Sequence, residues 1–339
     1  MEKRKKVMQM GTYRKYLEPA YGEKSFSVEI PAPEDIDIEH PQIWRNKHIP
    51  ESAAGILAAV KRTGCYDEIM TIETTDTYLE RESERIPLRL YHPGGEGPFP
   101  VLVFYHGGAF MYNTFAIYEY VTRYIAKYGG ALVIAVEYRL APEHRCPVGR
   151  EDAYAALEWA AAHCGEYGGD ASDITVCGDS AGGNFAAGIS LMARDRKGPG
   201  IRRQIMIYPV TSFVFEEQPY SEKRYEKGYF LEYNSMKDPL APYFAPGDEK
   251  ARWDPYNSPL LAKDLTGLPE ALFLSAECDP LLDQGLMYAA RLEDAGVPVE
   301  YHIFEGMIHS FLNYTYAKSF ACLDMICGAV SKRRHKDGC

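Results

Sequence analysis

The chain has 339 residues, of which 46% are apolar and 13% aromatic, and this composition suffices for the buried core of one large α/β domain or of two average domains. Its formal net charge of −11 disfavours DNA and RNA as partners, because binding a nucleic acid requires a basic face that releases counterions. The short basic clusters at positions 3–6 and 332–336 are typical of solvated termini.

The sequence also lacks signals for export, membrane insertion and metal binding. The basic first residues are followed by polar ones in place of the apolar core of a signal peptide, and no run reaches the ~18–20 apolar residues that span a bilayer. The eight cysteines are scattered, without Cys-x-x-Cys pairs or zinc-ligand spacing, which is typical of reduced thiols. We therefore expect a cytoplasmic protein with no membrane partner, no metal and no organic cofactor.

The first part of the chain differs in character from the rest. Residues 1–65 carry aromatic and apolar patches among proline and charged residues, with a short helix predicted at Ser52–Val60. They are too apolar for a disordered tail, so we expect an N-terminal cap segment that packs over the remainder of the chain. Glu68–Thr75 and Ile86–His92 then alternate apolar and polar residues, which predicts an antiparallel pair of strands at a sheet edge.

From residue 101 onwards, short apolar runs alternate with helical stretches. This alternation predicts a parallel sheet that is covered by helices on both faces. Together with the antiparallel pair, it predicts an α/β fold with a mostly parallel, eight-stranded sheet within a core domain at residues 66–339. The predicted strands are Val101–Tyr105, Ala131–Val136, Ile174–Cys177, Gln204–Tyr208, Ala271–Ser275 and Val299–Phe304, and the predicted helices are Ile117–Tyr128, Arg150–His163, Gly182–Arg194, Asp283–Ala295 and Tyr316–Val330.

One insertion interrupts this alternation, at about residues 210–257. It is rich in tyrosine, phenylalanine and proline, and a structureless loop of that length would be unusual inside a compact domain. We therefore expect a small, mainly helical cap that lies on the functional end of the sheet. Its most apolar rings, which are candidates for lining a substrate pocket, are Phe213, Phe215, Tyr229 and Phe230.

The sequence Gly178-Asp179-Ser180-Ala181-Gly182 lies where an apolar strand gives way to a helix. A sharp turn of this kind strains the serine backbone and requires residues without colliding side chains two positions to either side. Gly178 and Gly182 meet this requirement. The turn would raise the Ser180 hydroxyl above the sheet edge and direct the Ala181 N–H at whatever the hydroxyl attacks, which predicts a nucleophile.

A serine nucleophile requires a base and a carboxylate that orients the base. In open α/β sheets such groups follow the carboxyl ends of the strands, and Asp279 and His309 each come shortly after a predicted strand. Glu277 and Asp283 are alternative carboxylates. His302 is an alternative base, although its position within a strand directs it to the sheet surface and away from the catalytic end.

The loop His106-Gly107-Gly108-Ala109-Phe110 directly follows a predicted strand. Consecutive glycines let two backbone N–H groups converge on a ligand without an intervening Cβ, which predicts an oxyanion hole. His106 comes too early to be the base, and we expect it to hold the loop by hydrogen bonds.

Five spaced motifs together resemble the hormone-sensitive-lipase-like carboxylesterases, a branch of the α/β-hydrolase fold that includes bacterial acetyl esterases. The resemblance extends from about residue 85 to residue 315, and residues 1–65 share only the general character of that family's N-terminal cap. The motifs are His106-Gly107-Gly108-Ala109-Phe110, Tyr138-Arg139-Leu140-Ala141-Pro142-Glu143-His144, Gly178-Asp179-Ser180-Ala181-Gly182-Gly183-Asn184, Asp279-Pro280-Leu281 and Gly306-Met307-Ile308-His309.

The resemblance implies an α/β-hydrolase fold and gives roles to residues of this chain. Ser180 would be the nucleophile, Asp279 the orienting carboxylate and His309 the base. Ala109 stands where a third glycine is frequent in the family, which leaves its own share in the oxyanion hole open, and Ser310 replaces a glycine after the histidine. The implied oxyanion donors are Gly107, Gly108 and Ala181.

We expect a serine carboxylesterase whose substrates are small, dissolved esters with acyl chains from acetyl to hexanoyl. An acidic chain without a membrane-binding segment has no obvious means of reaching an oil surface, and crowded rings over the site would leave a short acyl pocket. Two other functions stay open: an amidase or peptidase on the same fold, and a ligand receptor without catalysis, against which the complete set of serine, aspartate and histidine argues. The sequence also leaves a homodimer open.

Overall fold

A central β-sheet organises the structure, a computed structural model that describes residues 41–81, 84–231 and 242–331. The predictions for residues 1–40 and for positions 232–241 of the insertion lie outside the described residues. The strands within these ranges are β1 Glu73–Arg81, β2 Glu84–His92, β3 Phe99–Tyr105, β4 Leu132–Val136, β5 Gly169–Asp179, β6 Arg203–Ile207, β7 Glu270–Cys278 and β8 Val299–Ile308.

The strands of the described residues form one eight-stranded sheet in the order β1-β2-β4-β3-β5-β6-β7-β8. The strand β2 pairs antiparallel with β1 and β4, and all other neighbours are parallel, which confirms the predicted α/β sheet. The predicted strand Glu68–Thr75 is wrong in position, because Tyr66–Ile69 is a short helix and the edge strand begins at Glu73. Leu79 alone is buried within β1, so this strand carries little of the apolar alternation that would reveal its position.

Helices cover both faces of the sheet. The helix α1, Pro41–Val60, continues through Pro50 and is longer than the helix predicted at Ser52–Val60. The other helices of the described ranges are α2 Tyr66–Ile69, α3 Glu119–Gly129, α4 Val148–His163, α5 Ala181–Arg196, α6 Tyr220–Arg224, α7 Glu249–Trp253, α8 Leu282–Asp294 and α9 Ala317–Ser331. In the part of the chain that the structure describes, no helix is long and apolar enough to cross a membrane.

Alternate residues of the central strands enter two different cores. In β3, Val101, Val103 and Tyr105 pack in one core with residues of α4, α5 and α8. Leu102 and Phe104 pack in a second core with residues of α3 and α9. The nearly continuous apolar run of β3 is explained by this burial on both sides, as expected for a central parallel strand.

The carboxyl edge of the sheet collects the candidate site residues. The strand β5 ends one residue before the candidate nucleophile, and β7 and β8 extend further than predicted, to Cys278 and Ile308. Cys278 and Ile308 are paired across the two strands. Asp279 and His309 therefore leave the sheet side by side, and the loop 106–113 leaves the same edge after β3.

Candidate active site

Ser180 lies in a strained turn between β5 and α5. Its backbone angles are φ 53° and ψ −115°, a region that residues with a side chain seldom occupy. A Cβ on Gly182 would lie 1.9 Å from the carbonyl oxygen of Tyr105, so the helix can approach β3 this closely only with glycine at that position. The Ser180 N–H donates a 2.8 Å hydrogen bond to the Ile207 carbonyl, which ties the turn to β6. These contacts produce the strand–turn–helix geometry that the glycine spacing predicts.

Ser180, His309 and Asp279 form a continuous chain of hydrogen bonds. Nε2 of His309 lies 2.9 Å from Oγ of Ser180, and its Nδ1 lies 2.7 Å from Oδ2 of Asp279. Oδ1 of Asp279 accepts a 2.8 Å hydrogen bond from the Leu281 N–H, which fixes the carboxylate plane. The three residues are only 8%, 3% and 1% exposed, so a reacting group would meet them away from bulk water. In this arrangement Nε2 can accept the serine proton while the carboxylate orients the imidazole.

The alternative carboxylates and the alternative base make other contacts. Oε2 of Glu277 accepts a backbone N–H of β8 at 2.7 Å, and Oδ2 of Asp283 accepts a backbone N–H of α6 at 2.8 Å. Nε2 of His302 lies 3.0 Å from a glutamate on the same edge strand. The structure thus brings Asp279, and neither of the other two carboxylates, to the histidine beside Ser180. Within residues 41–81, 84–231 and 242–331, no three His, Cys, Asp or Glu side chains are grouped to hold a metal ion.

The backbone N–H groups around Ser180 fall into two sets. The Gly107 N–H donates to Oδ1 of Asp179 at 2.7 Å and lies 3.1 Å from the Tyr118 hydroxyl oxygen. The structure therefore engages this N–H in holding the loop, and we do not retain Gly107 among the candidate oxyanion donors. By contrast, none of the described residues accepts a hydrogen bond from the N–H of Gly108 or Ala109. The Ala181 N–H begins α5, where the first N–H groups have no acceptor within the helix.

The two candidate donors in the loop have left-handed backbone conformations. Gly108 has φ 118°, and a Cβ there would lie 2.4 Å from the carbonyl oxygen of Tyr112. Ala109 has φ 52°, a conformation that costs a residue with a side chain ~1–2 kcal/mol. This conformation gives a physical reason for the third glycine of the family pattern, because glycine adopts a positive φ without that cost.

Aromatic residues hold the loop from His106 to Phe110, which is called the oxyanion loop here because it carries the candidate donors Gly108 and Ala109. The His106 ring stacks on the Tyr138 ring with 4.3 Å between centroids, and the Tyr138 hydroxyl donates to the His106 carbonyl at 2.6 Å. Burial lowers the pKa of His106 to about 4, so its ring is neutral near pH 7. Nδ1 of that ring lies 2.8 Å from the Gly107 carbonyl oxygen and must be the protonated nitrogen, because a carbonyl only accepts. His106 thus holds the loop as expected.

Asp179 is a buried carboxylate that lies between Gly178 and Ser180 in the serine motif. Beyond the Gly107 N–H, it accepts hydrogen bonds from the hydroxyls of Tyr118 at 2.9 Å and Tyr208 at 3.3 Å. Burial raises its pKa to about 6, although the donors on its oxygens and the nearby His309 oppose this rise. In the sequence, this role is indicated only by the presence of an ionisable residue at the end of an apolar strand.

The aromatic candidates for a substrate pocket form two groups on different sides of the site. The Phe213 ring packs 5.9 Å from the ring of Phe110, which ends the oxyanion loop, and Phe215 is partly buried against the same core. Tyr229 and Phe230 pack instead against the residues that directly precede the candidate acid and base. The structure therefore does not bring the four rings together, but each group adjoins one part of the site.

Similarity to known proteins extends over most of the chain. The family model described as alpha/beta hydrolase fold matches residues 102–313. An arylesterase of Saccharolobus solfataricus is 38% identical over 241 residues, which cover 71% of this chain and 77% of the relative. An ethyl acetate hydrolase of Pseudomonas putida is 34% identical over 271 residues, which cover 78% and 81%. The solved structure of a Pyrobaculum calidifontis esterase matches with a TM-score of 0.77 and 31% identity, covering 88% of this chain and 93% of the other.

Proposed function

The chain belongs to the hormone-sensitive-lipase-like family of the α/β-hydrolase fold and is a carboxylic ester hydrolase, and on this premise we propose that it works through an acyl-enzyme on Ser180. One observation carries the proposal. The side chains of Ser180, His309 and Asp279 are linked by hydrogen bonds of 2.9 and 2.7 Å at the sheet edge where the strained turn holds the serine. This is the geometry that a serine nucleophile, its base and an orienting carboxylate require.

The proposed reaction proceeds in two stages. Oγ of Ser180 attacks the ester carbonyl carbon while Nε2 of His309 accepts its proton, and Asp279 stabilises the imidazolium that forms. The negative oxygen of the tetrahedral intermediate receives hydrogen bonds from backbone N–H groups, and His309 then donates its proton to the departing alcohol. A water molecule, deprotonated by the same histidine, releases the acid from the serine. The proposed donors to the oxyanion are Gly108, Ala109 and Ala181.

Substitution of the nucleophile tests this mechanism. We expect Ser180→Ala to lower kcat by ~10⁴- to 10⁶-fold, because loss of one member of such a triad removes most of its effect. The melting temperature should stay close to that of the parent, since the alanine retains the Cβ that the turn already accommodates. Ser310→Ala, a serine beyond the base, is the matched control and should retain activity. A folded Ser180→Ala variant with more than about a tenth of the parent turnover would refute the acyl-enzyme.

We further propose that the substrates are small esters with acyl chains from acetyl to hexanoyl. Support comes from the two aromatic groups beside the site and from the similarity to a relative named ethyl acetate hydrolase. Each methylene that enters an apolar pocket contributes ~0.8 kcal/mol, and the gain reverses when the chain meets a rigid wall. Rings packed beside the catalytic groups would place the end of the acyl pocket close to Ser180.

A series of p-nitrophenyl esters measures the acyl-chain limit. We expect kcat/KM to be highest between acetate and hexanoate and to fall steeply well before palmitate. Phe213→Ala and Phe230→Ala reveal which aromatic group borders the acyl chain, because removing the limiting ring should move the maximum to longer esters. Trp253→Ala, which removes an exposed ring of the same insertion, is the control. A maximum at a long-chain ester in the parent protein would contradict the proposed range.

We propose, in addition, that residues 1–65 and about 210–257 form a cap on the catalytic core of residues 66–339. In the described part of the N-terminal segment, Nη2 of Arg45 on α1 lies 2.5 and 2.7 Å from the two carboxylate oxygens of Glu143 in the core. In the insertion, Ser221 of α6 donates its N–H to Asp283 and its hydroxyl to the carbonyl of Pro280, both at 2.8 Å. Both segments are therefore attached to the core, and the insertion is attached directly after the candidate acid.

Deletion of residues 1–60 tests the cap. We expect the shortened chain to expose apolar surface, to lose solubility and to lose kcat/KM together. Arg45→Gln in the full chain separates the ion pair from the remaining contacts and should have a much smaller effect, because ion pairs with an exposed member contribute little. A deleted chain that stays soluble with unchanged kcat/KM would refute the cap.

We also propose that the enzyme acts in the cytoplasm. Its seven cysteines within the described ranges are free thiols, which is typical of a reducing compartment. Fractionation of the cells that produce it, with detection by an antibody against the whole chain, tests this location. Size-exclusion chromatography with light scattering would decide whether it acts as the homodimer that the sequence leaves open.

A further inference from the structure

We propose that Asp179 is a positioning residue of this hydrolase, whose buried carboxylate sets the oxyanion loop through the N–H of Gly107. The inference rests on the proposed serine mechanism, since it concerns the N–H groups that would face the oxyanion. It assigns a task to a carboxylate that takes no part in the hydrogen-bonded chain of Ser180, His309 and Asp279.

The carboxylate of Asp179 is rigidly mounted and fully engaged. It is the last residue of the central strand β5 and is 1% exposed. Oδ1 accepts the Gly107 N–H at 2.7 Å, and Oδ2 accepts the hydroxyls of Tyr118 at 2.9 Å and Tyr208 at 3.3 Å. A site held by packed residues on a strand keeps a more exact geometry than one carried by a loop alone. Asp179 therefore connects the loop to the most rigid part of the sheet.

The anchored N–H lies directly before the candidate oxyanion donors in the chain. Gly107 precedes Gly108 and Ala109, so a turn of its peptide plane would redirect the N–H groups that follow. Such donors must lie about 2.7–3.1 Å from the oxyanion, and a misplacement of ~1 Å can reduce the rate by up to ~100-fold. A hydrogen bond to a charged carboxylate is roughly twice as strong as one to a neutral acceptor, so the charge of Asp179 holds the loop more firmly.

The same network extends to the base and to the far side of the loop. The Tyr208 ring, whose hydroxyl reaches Asp179, lies 4.8 Å from the His309 ring. Nδ2 of Asn313 lies 3.4 Å from the Tyr118 hydroxyl oxygen. Within the loop itself, Nδ2 of Asn113 donates to the Gly107 carbonyl oxygen at 3.3 Å, so Gly107 is held at both its N–H and its carbonyl. Movement of the carboxylate would therefore displace the oxyanion loop directly, through the Gly107 N–H, and would reach the base only through the Tyr208 ring.

The protonation of Asp179 gives this role a distinctive pH dependence. Burial raises the pKa of Asp179 to about 6, against the opposing effects of its hydrogen-bond donors and of His309. The carboxylate is thus charged above about pH 6 and neutral below it, where an asparagine would have the same charge and shape. The titratable groups that face it from the surrounding elements are Tyr118, Tyr120, Tyr138, Cys177, Tyr208, His309 and Cys322.

The decisive experiment compares the parent enzyme with Asp179→Asn on p-nitrophenyl acetate between pH 5 and pH 9. We expect kcat of the variant at pH 8 to be ~10- to 100-fold lower with KM changed less than about threefold, because the oxyanion is stabilised only in the transition state. The ratio of the two kcat/KM values should be constant above pH 7 and should fall towards one below pH 6, as the parent carboxylate becomes neutral.

The melting temperature of Asp179→Asn provides a second test, because at pH 8 it should change in the opposite direction to kcat. A carboxyl group whose pKa is higher in the folded than in the unfolded protein stabilises the fold most at low pH, and this contribution is lost as the pH rises through about 6. At pH 8 the melting temperature of Asp179→Asn should therefore equal or exceed that of the parent, even though its kcat is lower. A purely structural role would lower both.

Asp152→Asn is the matched control. Asp152 is also a fully buried carboxylate, but it lies on α4 and pairs with the side chains of Arg139 at 2.7 Å and Arg81 at 3.4 Å in place of a backbone N–H of the loop. We expect this variant to melt at a lower temperature and to keep its kcat, with a parent-to-variant ratio near one at every pH.

Two outcomes would overturn the inference. One is a folded Asp179→Asn variant that keeps more than half of the parent kcat at pH 8, and the other is a ratio that is the same at pH 5 and pH 8. If Asp179→Asn fails to fold, Tyr118→Phe serves instead: it removes a donor that lowers the pKa of Asp179, so the acid limb of kcat/KM should move to higher pH, and an unmoved limb would overturn the inference. Full activity of Ser180→Ala would refute the serine mechanism itself, so the two failures are distinguishable.

Discussion

The two halves of the candidate site are held in different ways. The half that contains Ser180, Asp279 and His309 is built by backbone, because each residue directly follows a strand and the two strands behind the acid and the base are paired to their last residues. The half that contains the candidate oxyanion donors Gly108 and Ala109 is a loop, and its position depends on side chains that come from distant parts of the chain. Substitutions that introduce a steric clash with the backbone should therefore disturb the first half, and substitutions that remove a buried hydrogen bond should disturb the second half.

Among the substitutions that test this comparison, we expect the largest loss of kcat at the carboxylate of the first half. Asp279→Asn should lower kcat by ~10⁴-fold, because the asparagine amide favours the wrong tautomer of His309. Asp283→Asn and Glu277→Gln are the controls and should cost far less, since both residues accept backbone N–H groups elsewhere. Steady-state kinetics at pH 8 measures all three. A greater loss in either control would show that another acid serves the base.

A second test introduces a steric clash with the backbone of the first half. Gly182→Ala should lower the free energy of unfolding by ~3 kcal/mol or prevent folding, because its Cβ would lie 1.9 Å from the carbonyl oxygen of Tyr105. Gly285→Ala is the matched helical control, since the atom nearest to its Cβ would lie 3.6 Å away. Urea unfolding compares the two. Equal stability of both variants would mean that the turn is not held by steric exclusion.

The third test concerns one hydrogen bond in the loop half. Tyr138→Phe leaves the ring stacked on His106 but removes its 2.6 Å hydrogen bond to the His106 carbonyl, which should cost ~1–2 kcal/mol and lower kcat several-fold. Tyr105→Phe removes an equally buried hydrogen bond, to the Ala153 carbonyl on α4, and should cost similar stability without a change in kcat. If both variants lose kcat alike, the loop is no more sensitive than its surroundings.

The smallest effect is expected at Ala109. Glycine at this position would relieve the strain of φ 52°, while the greater freedom of glycine in the unfolded chain opposes the gain, so the melting temperature should move little. The kcat should stay within about threefold of the parent, because the N–H of the residue is retained. Ala109→Val, which adds bulk without changing the charge, should be clearly worse in both measurements. A large gain of activity in Ala109→Gly would show that the alanine limits the rate.

The sequence predicts the two halves unequally for a physical reason. The elbow and the ends of the long strands depend on local spacing: Gly178 and Gly182 flank the serine, and apolar runs end shortly before Asp279 and His309. The positions of β7 and β8 are shifted only at their ends, where a paired Cys278 and Ile308 extend the sheet. The edge strand β1 is misplaced because its residues face solvent and carry no strong pattern.

The support of the oxyanion loop could not be predicted in the same manner. The residues that support the loop are separated in the chain: Tyr118 and Tyr208 lie far from Asp179, and the serine motif gives Asp179 itself no role. Their side chains come into contact only because of how the sheet and α3 pack. For the same reason the sequence predicts the Gly107 N–H as an oxyanion donor, whereas the structure engages it with Asp179. Local patterns indicate which backbone is strained, but not which buried side chain holds it.

The attachment of α6 constrains how substrate can reach the serine. Ser221 is fastened by hydrogen bonds to Pro280 and Asp283, which lie one and four residues after the candidate acid, so this end of the insertion cannot swing outward without disturbing Asp279. A proposed cap segment that is bonded directly after the candidate acid has no hinge at that end for opening at an oil droplet. The initial velocity of the enzyme should therefore follow one hyperbola as the concentration of a sparingly soluble ester passes the point at which the solution becomes turbid, without a lag or a second rise.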